Sequence, residues 1–243
     1  MPLAPPANDG TWQNGRQLAR MQSVDTNASF VYNENSLRVQ KTVNGVVTNY
    51  TLHGKNVVHM TQGNDELHFF YDAQNKPAIV VFNGASFSYV KNLQGDIVAI
   101  LDSNGNKVVE YKYDAWGKPF TPTGNMKDDL GRLNPFRYRG YVYDNETEVY
   151  YLRSRYYYPY WCRFKNTDVM LSMHLLSNTY SYCENRIIVR VDNSGTERCF
   201  AQTSRQAYIS KGNEMELIHG EIWKSCDRGV SLQGQDHWKI PGS

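Results

Sequence analysis

Turn chemistry constrains this chain more than any other feature. From Trp12 to Pro119, short strand-like runs are separated by Asn-Gly or by Asx-x-x-Gly. Asn44-Gly45 and Asn83-Gly84 are two-residue hairpin signals, because both central positions of a type I′ turn need positive φ. Asn92-Leu93-Gln94-Gly95, Asp102-Ser103-Asn104-Gly105 and Asp114-Ala115-Trp116-Gly117 use a second device. There the Asx side chain caps a type I turn and the glycine takes the left-handed position that closes it. Those glycines are 10 and 12 residues apart (105 − 95 and 117 − 105), which is the beat of a β meander.

The runs between turns alternate as half-buried strands should. In Lys107–Tyr113, Val109, Tyr111 and Tyr113 share one face, and Val108, Glu110 and Lys112 share the other. No segment before Asp128 carries a 3.6-residue period. The fold class expected is all-β with antiparallel neighbours, and 243 residues suffice for one large β domain or two smaller ones. A formal charge of +2 gives no general argument for nucleic acid or an anionic membrane. No apolar run is long enough to span a bilayer. The opening decapeptide lacks the basic and apolar regions of a signal peptide, so none is expected in this chain. Cys162, Cys183, Cys199 and Cys226 form no C-x-x-C pair, so isolated thiols are expected and no metal or other cofactor is implied.

A tyrosine–aspartate pair recurs at the strand ends. Phe70-Tyr71-Asp72-Ala73 and Lys112-Tyr113-Asp114-Ala115 match each other, Val142-Tyr143-Asp144-Asn145 is a third copy, and Val31-Tyr32-Asn33 is a weaker fourth. In each, the tyrosine ends a strand and the acidic or amide residue opens the turn. The 23 residues from Tyr138 to Tyr160 hold nine of the chain's 18 tyrosines, interleaved with Arg139, Arg153 and Arg155. Such a segment could stack on sugar rings, could lie along a nucleic acid, or could pack internally with each hydroxyl kept wet or bonded. Internal packing is the preferred reading, and no direct nucleic-acid binding by the β region is expected.

The run from Val90 to Phe164 closely resembles the Rhs, or YD-repeat, family. Val90–Pro119 is similar to the last YD repeats, and Leu133–Pro159 to the core signature that follows them. The resemblance implies an antiparallel meander of YD-repeat hairpins forming part of a spiralling β shell, closed by a core plug, as in bacterial Rhs toxins, insecticidal toxin complexes and teneurins. The signature falls on Asn134, Pro135, Arg137, Tyr138, Arg139, Gly140, Tyr143, Asp144, Tyr150, Tyr151, Arg153, Arg155, Tyr156, Tyr157, Arg163 and Phe164. The expected organisation is a disordered start over 1–11, shell over 12–127, plug over 128–195, and a short irregular stub of variable effector over 196–243.

In family members that cut themselves, two Asp-Pro-x-Gly motifs supply an aspartyl-protease-like pair. The matching positions here are Asp168 and Asp192, 24 residues apart (192 − 168), with both prolines and the first glycine absent. One carboxyl could hold a proton while the other activates water, since close like charges do not both ionise easily. Glu148, Tyr158 and Cys162 also depart from the pattern, standing where members carry glycine, aspartate and glycine. In the tail, His219, Asp227, Arg228, His237 and Lys239 have the side chains of a nuclease but no diagnostic spacing. The implied role is the C-terminal part of a secreted or cell-surface bacterial polymorphic toxin. It would encapsulate a toxic C-terminus for competition between bacteria, with self-cleavage as a release step. The implied partners are an upstream YD-repeat shell, the cognate toxin and its immunity protein. A carbohydrate-binding module using the tyrosine surface on cell-surface glycans is the alternative. An open strand edge is expected over Trp12–Leu52.

Overall fold

The computed structural model describes residues 9–167, 178–185, 187, 190–192, 195, 199–200, 207–211 and 214–218. Eleven strands run in chain order: β1 (Asp9–Gln13), β2 (Gln17–Gln22), β3 (Asn27–Tyr32), β4 (Arg38–Val43), β5 (Val46–His53), β6 (Asn56–Gln62), β7 (Asp65–Tyr71), β8 (Pro77–Phe82), β9 (Ala85–Lys91), β10 (Ile97–Leu101) and β11 (Lys107–Glu110). Each pairs antiparallel with its sequence neighbours in one eleven-stranded sheet. A single helical turn, α1 (Leu130–Leu133), leads to a second antiparallel sheet of β12 (Val142–Asp144), β13 (Val149–Tyr151), β14 (Tyr156–Tyr158) and β15 (Arg163–Phe164). Beyond it, Arg190–Val191 pairs with Cys199–Phe200, and Ala207–Lys211 with Glu214–Ile218. The fold is all-β, as the turn grammar requires.

The turns form for the reasons the sequence supplies. Asn44 and Gly45 have φ of 49° and 86°, and Asn83 and Gly84 have 48° and 85°, the paired positive values of type I′. In the longer turns, the Oδ1 of Asn92, Asp102 and Asp114 accepts two backbone N–H groups, from the second and fourth residues onward. Asp72 and Asn33 do the same, with Asn75 and Ser36 taking the left-handed position that glycine fills elsewhere.

One face of the large sheet is buried and the other open. Leu18, Met21, Phe30, Tyr50, Met60, Leu67, Phe69, Val80, Ile97 and Ile100 line the buried face. β2–β4 pack against Val149, Tyr151, Tyr156 and Tyr158 of the small sheet. The middle and later strands pack against Leu130, Leu133 and Phe136 of the linking segment. Burying an aromatic or large aliphatic side chain of this kind contributes about 1.5–3 kcal/mol each.

Two expectations change here. Val108 is as buried as Val109, so alternation breaks at β11. The chain folds back across that strand: Glu110 exchanges two hydrogen bonds with Thr123, and Met126 donates to the Val108 carbonyl. Gly124, at φ 111°, permits this return, since a Cβ there would lie 2.2 Å from the Val108 oxygen. The open edge expected over Trp12–Leu52 narrows to β1, because β2–β5 are paired on both sides.

Candidate functional site

The tyrosine-rich segment forms the seam between the two sheets. Its residues split the work: rings fill the space and hydroxyls reach out to main-chain carbonyls. Tyr150 donates to Gly117 O at 2.7 Å, Tyr157 to Trp116 O at 2.7 Å and Tyr138 to Ala115 O at 3.2 Å. These bonds hold the last turn of the meander, where Gly117 leaves room for the Tyr138 ring: a Cβ would sit 2.5 Å from it. At the other end of the meander, Tyr156 bonds hydroxyl to hydroxyl with Tyr32 of β3, and its ring meets Trp12 edge-on at 5.6 Å. The small sheet therefore touches both the first strands of the large one and the turn that follows its last strand.

Three of the four repeat tyrosines follow a rule the sequence did not disclose. Tyr32 donates to Leu18 O, Tyr71 to Val57 O and Tyr113 to Ile97 O, each at 2.7–2.8 Å and each 14 to 16 residues back along the chain. Every pair ties the end of one repeat to an earlier strand.

Five buried cations complete the seam. Arg38 of β4 donates to both oxygens of Asp144, at 2.6 and 3.1 Å, while its guanidinium lies 4.5 Å from the Tyr151 ring centroid. Lys41 approaches Asp144 at 3.3 Å and bonds Glu146 at 2.8 Å. Burial alone would raise the Asp144 carboxyl, but Arg38 and Lys41 together hold it below its ordinary value. Arg137 stacks 4.1 Å from the Tyr111 centroid and donates to the Gly131 and Asn134 carbonyls. Arg139, left-handed at φ 56°, is fixed by its N–H to Asp96 and by bonds to the Gln94 and Ile187 carbonyls. Arg155 stacks on Phe164 at 3.6 Å and bonds Asp192 at 2.7 Å.

Asn134 accepts the Tyr89 hydroxyl at 2.6 Å and donates to Phe136 O. Pro135, Tyr143 and Phe164 are buried, Gly140 and Arg153 are half-buried, and Arg163 is exposed. Asp144 corrects the third tyrosine–aspartate copy. Its carboxylate opens no Asx turn among the described residues and instead meets Arg38 and Lys41 from beneath. Tyr138, Tyr143, Tyr150, Tyr151, Tyr156 and Tyr157 are all at most 8% exposed. A sugar-stacking face needs exposed rings, so the carbohydrate-binding alternative fails for this segment.

Of the two carboxylates assigned to self-cleavage, Asp168 lies outside the described residues. Asp192 is buried, with one oxygen on Arg155 and the other accepting Gly195 N–H at 2.7 Å. Cys162 and Cys183 are free thiols, and burial, with Asp192 nearby, pushes Cys183 up to about 12, away from nucleophilic use. His219, Asp227, Arg228, His237 and Lys239 lie outside the described residues.

A profile of the Teneurin YD-shell family matches residues 14–188. The chain belongs to that family. Among YD-shell relatives it is 36% identical over 181 residues to the tRNA3(Ser)-specific nuclease WapA of Bacillus spizizenii. It is 38% identical over the same length to the tRNA nuclease WapA of Bacillus subtilis. Each alignment covers 69% of this chain and 7% of the relative, so this YD-shell chain spans a small part of those proteins. Among solved structures, the Photorhabdus luminescens Tc holotoxin pore aligns at a TM-score of 0.61 and 17% identity, over 78% of this chain and 10% of that one. The TcdB2–TccC3 structure aligns at 0.59 and 17% identity, over 77% and 10%. At such identity these neighbours establish the shared YD-shell fold.

Proposed function

We propose that this chain is the wall and plug at the C-terminal end of a bacterial polymorphic toxin. In this reading, residues 12–127 continue a shell built by upstream YD repeats, 128–195 close it, and 196–243 begin the variable effector. The parent acts outside the producing cell or at its surface, and an immunity protein protects the producer. The supporting observation is that the tyrosine-rich sheet pins both ends of the meander at once. A lid that touched one edge would hinge, whereas one bonded at Tyr32 and at Trp116–Gly117 is held shut. The nuclease names of the WapA relatives support a cytotoxic segment beyond the plug.

Protease protection of the full-length parent tests this. The segment beyond residue 195 resists digestion while the seam is intact, and becomes cleavable in Asp144→Ala or Tyr157→Ala parents that remain folded by circular dichroism. Equal digestion of the segment in intact and altered parents would overturn the enclosure reading. Self-release through Asp168 and Asp192 is a separable step of the same proposal. Intact mass should show a cut after the plug that Asp168→Asn and Asp192→Asn abolish, and an uncut mass in the unaltered chain removes that step.

A further inference from the structure

Three side chains that the wall and plug do not use meet on the open face of the large sheet. His59 of β6 and His68 of β7 are directly opposed cross-strand partners. Glu66 stands two residues before His68 and so shares its face. The two-residue turn Gly63-Asn64 enforces this meeting, since positions 59 and 68 are equidistant from it. The imidazole rings stack, with centroids 4.4 Å apart and planes 15° from parallel. Both Nε2 atoms converge on one oxygen, Glu66 Oε1, at 2.8 Å from His59 and 2.9 Å from His68. One ligand-type atom from each residue lies within 4.8 Å of the other two.

An ordinary surface ion pair does not account for this arrangement. An exposed imidazole–carboxylate hydrogen bond contributes little stability, and a carboxylate oxygen has lone pairs for two such donors. His68 makes that hydrogen bond. His59 Nε2 is the surplus: it is shielded from solvent, lies outside hydrogen-bond geometry despite its approach, and has no hydrogen-bond partner among the described residues. Shielded polar atoms are normally satisfied, and an ion is one of the ordinary ways of doing so. Two imidazole nitrogens and a carboxylate oxygen are the donor set preferred by zinc and its first-row neighbours.

We propose that His59, Glu66 and His68 form a site for a divalent transition-metal ion of the zinc class. The two Nε2 atoms and one Glu66 oxygen supply three ligands, and the remaining position faces solvent. Tetrahedral bonds of ~2.1 Å place ligand atoms ~3.4 Å apart, so the present 2.8 and 2.9 Å approaches must open by roughly half an ångström. The side chains have that freedom, being 46% exposed at His68 and 52% at Glu66. The ion clamps β6 to β7 in the middle of the wall, where the row Thr51–His59–His68–Val81 crosses four strands.

Titration of the full chain with Zn2+, in competition with a chromophoric chelator, tests the site. Because the tail carries other histidines and cysteines, the decisive quantity is the difference between variants. The His59→Gln/His68→Gln double variant should bind one Zn2+ fewer than the unaltered chain. Glu66→Gln should weaken that one site at least ~10-fold. His53→Gln, away from the cluster, should leave it unchanged. Zn2+ should raise the melting temperature only where all three ligands remain. The substitutions fall on the open face, and circular dichroism confirms that each variant is folded. Equal Zn2+ stoichiometry and affinity in the double variant and the unaltered chain would overturn the proposal.

Discussion

Raising the pH should unfold this protein abruptly, and the tyrosine seam sets where. Twelve described tyrosines are buried: Tyr50, Tyr89, Tyr111, Tyr138, Tyr141, Tyr143, Tyr150, Tyr151, Tyr156, Tyr157, Tyr158 and Tyr182. Burial raises every one of them above the ordinary phenol value, with Tyr138 and Tyr158 pushed up to about 12 and the others also higher than normal. In the unfolded chain the same phenols ionise near pH ~10. A group whose folded pKa is raised contributes stability that is intact below the unfolded pKa and drains away as pH climbs past it. One unit above that value, each ring that stays protonated when folded forfeits about 1.4 kcal/mol. For the nine rings raised furthest (Tyr89, Tyr138, Tyr141, Tyr143, Tyr150, Tyr156, Tyr157, Tyr158 and Tyr182) the loss is about 13 kcal/mol, as large as the roughly 5–15 kcal/mol that holds a typical domain together. Half a unit above, it is already about 8 kcal/mol.

Unfolding should therefore fall between pH ~10 and ~11. Tyrosinate absorbance near 295 nm and the loss of β-sheet circular dichroism should rise and fall at one midpoint, with a slope steeper than one proton. Smooth tyrosinate formation centred at pH ~10, with the sheet signal intact, would refute the assigned burial of these rings.

Two further substitutions follow from the seam. Asp144→Asn leaves Arg38 buried without its carboxylate and Lys41 with Glu146 alone, and should cost about 3–5 kcal/mol in urea unfolding. In the unaltered chain the Asp144 contribution is present above the ordinary carboxylate value near 4 and is lost as pH falls through its depressed folded value. Glu148 and Cys162 hold φ of 57° and 55°, where glycine has no steric penalty. Cys162→Gly should stabilise by roughly 0.5–1 kcal/mol. Glu148→Gly should gain less, because Glu148 also accepts the Tyr160 hydroxyl at 3.0 Å.

Turn residues made the meander legible because they act over four positions, and nothing distant can override a required positive φ. Asn44-Gly45 and Asp102–Gly105 did what their side chains dictate. The interior role of the tyrosines was also readable, because such a density of half-polar rings suits a core whose hydroxyls have partners. What the sequence hid is long-range. Arg38 and Asp144 lie 106 residues apart, and no local pattern says that a tyrosine–aspartate turn will sink onto a cation. The clue was Arg38 and Lys41 at inward positions of β4, cations placed where alternation asks for apolar residues. Val108 was misjudged because the segment that covers its second face returns from beyond the strand. The meeting of His59 with His68 was, by contrast, written in their symmetry about Gly63-Asn64.

Most of the tyrosine pegs end on main-chain carbonyls: Leu18, Val57, Ile97, Ala115, Trp116 and Gly117. A carbonyl is the same whatever side chain stands beside it. The receiving positions outside the glycine can therefore drift without loosening the joint, provided the pegs themselves persist. Mutation is cheap on one side of each contact and costly on the other. That asymmetry gives a physical reason why one wall can keep its shape while four-fifths of its letters change, as between this chain and its Photorhabdus counterpart at 17% identity.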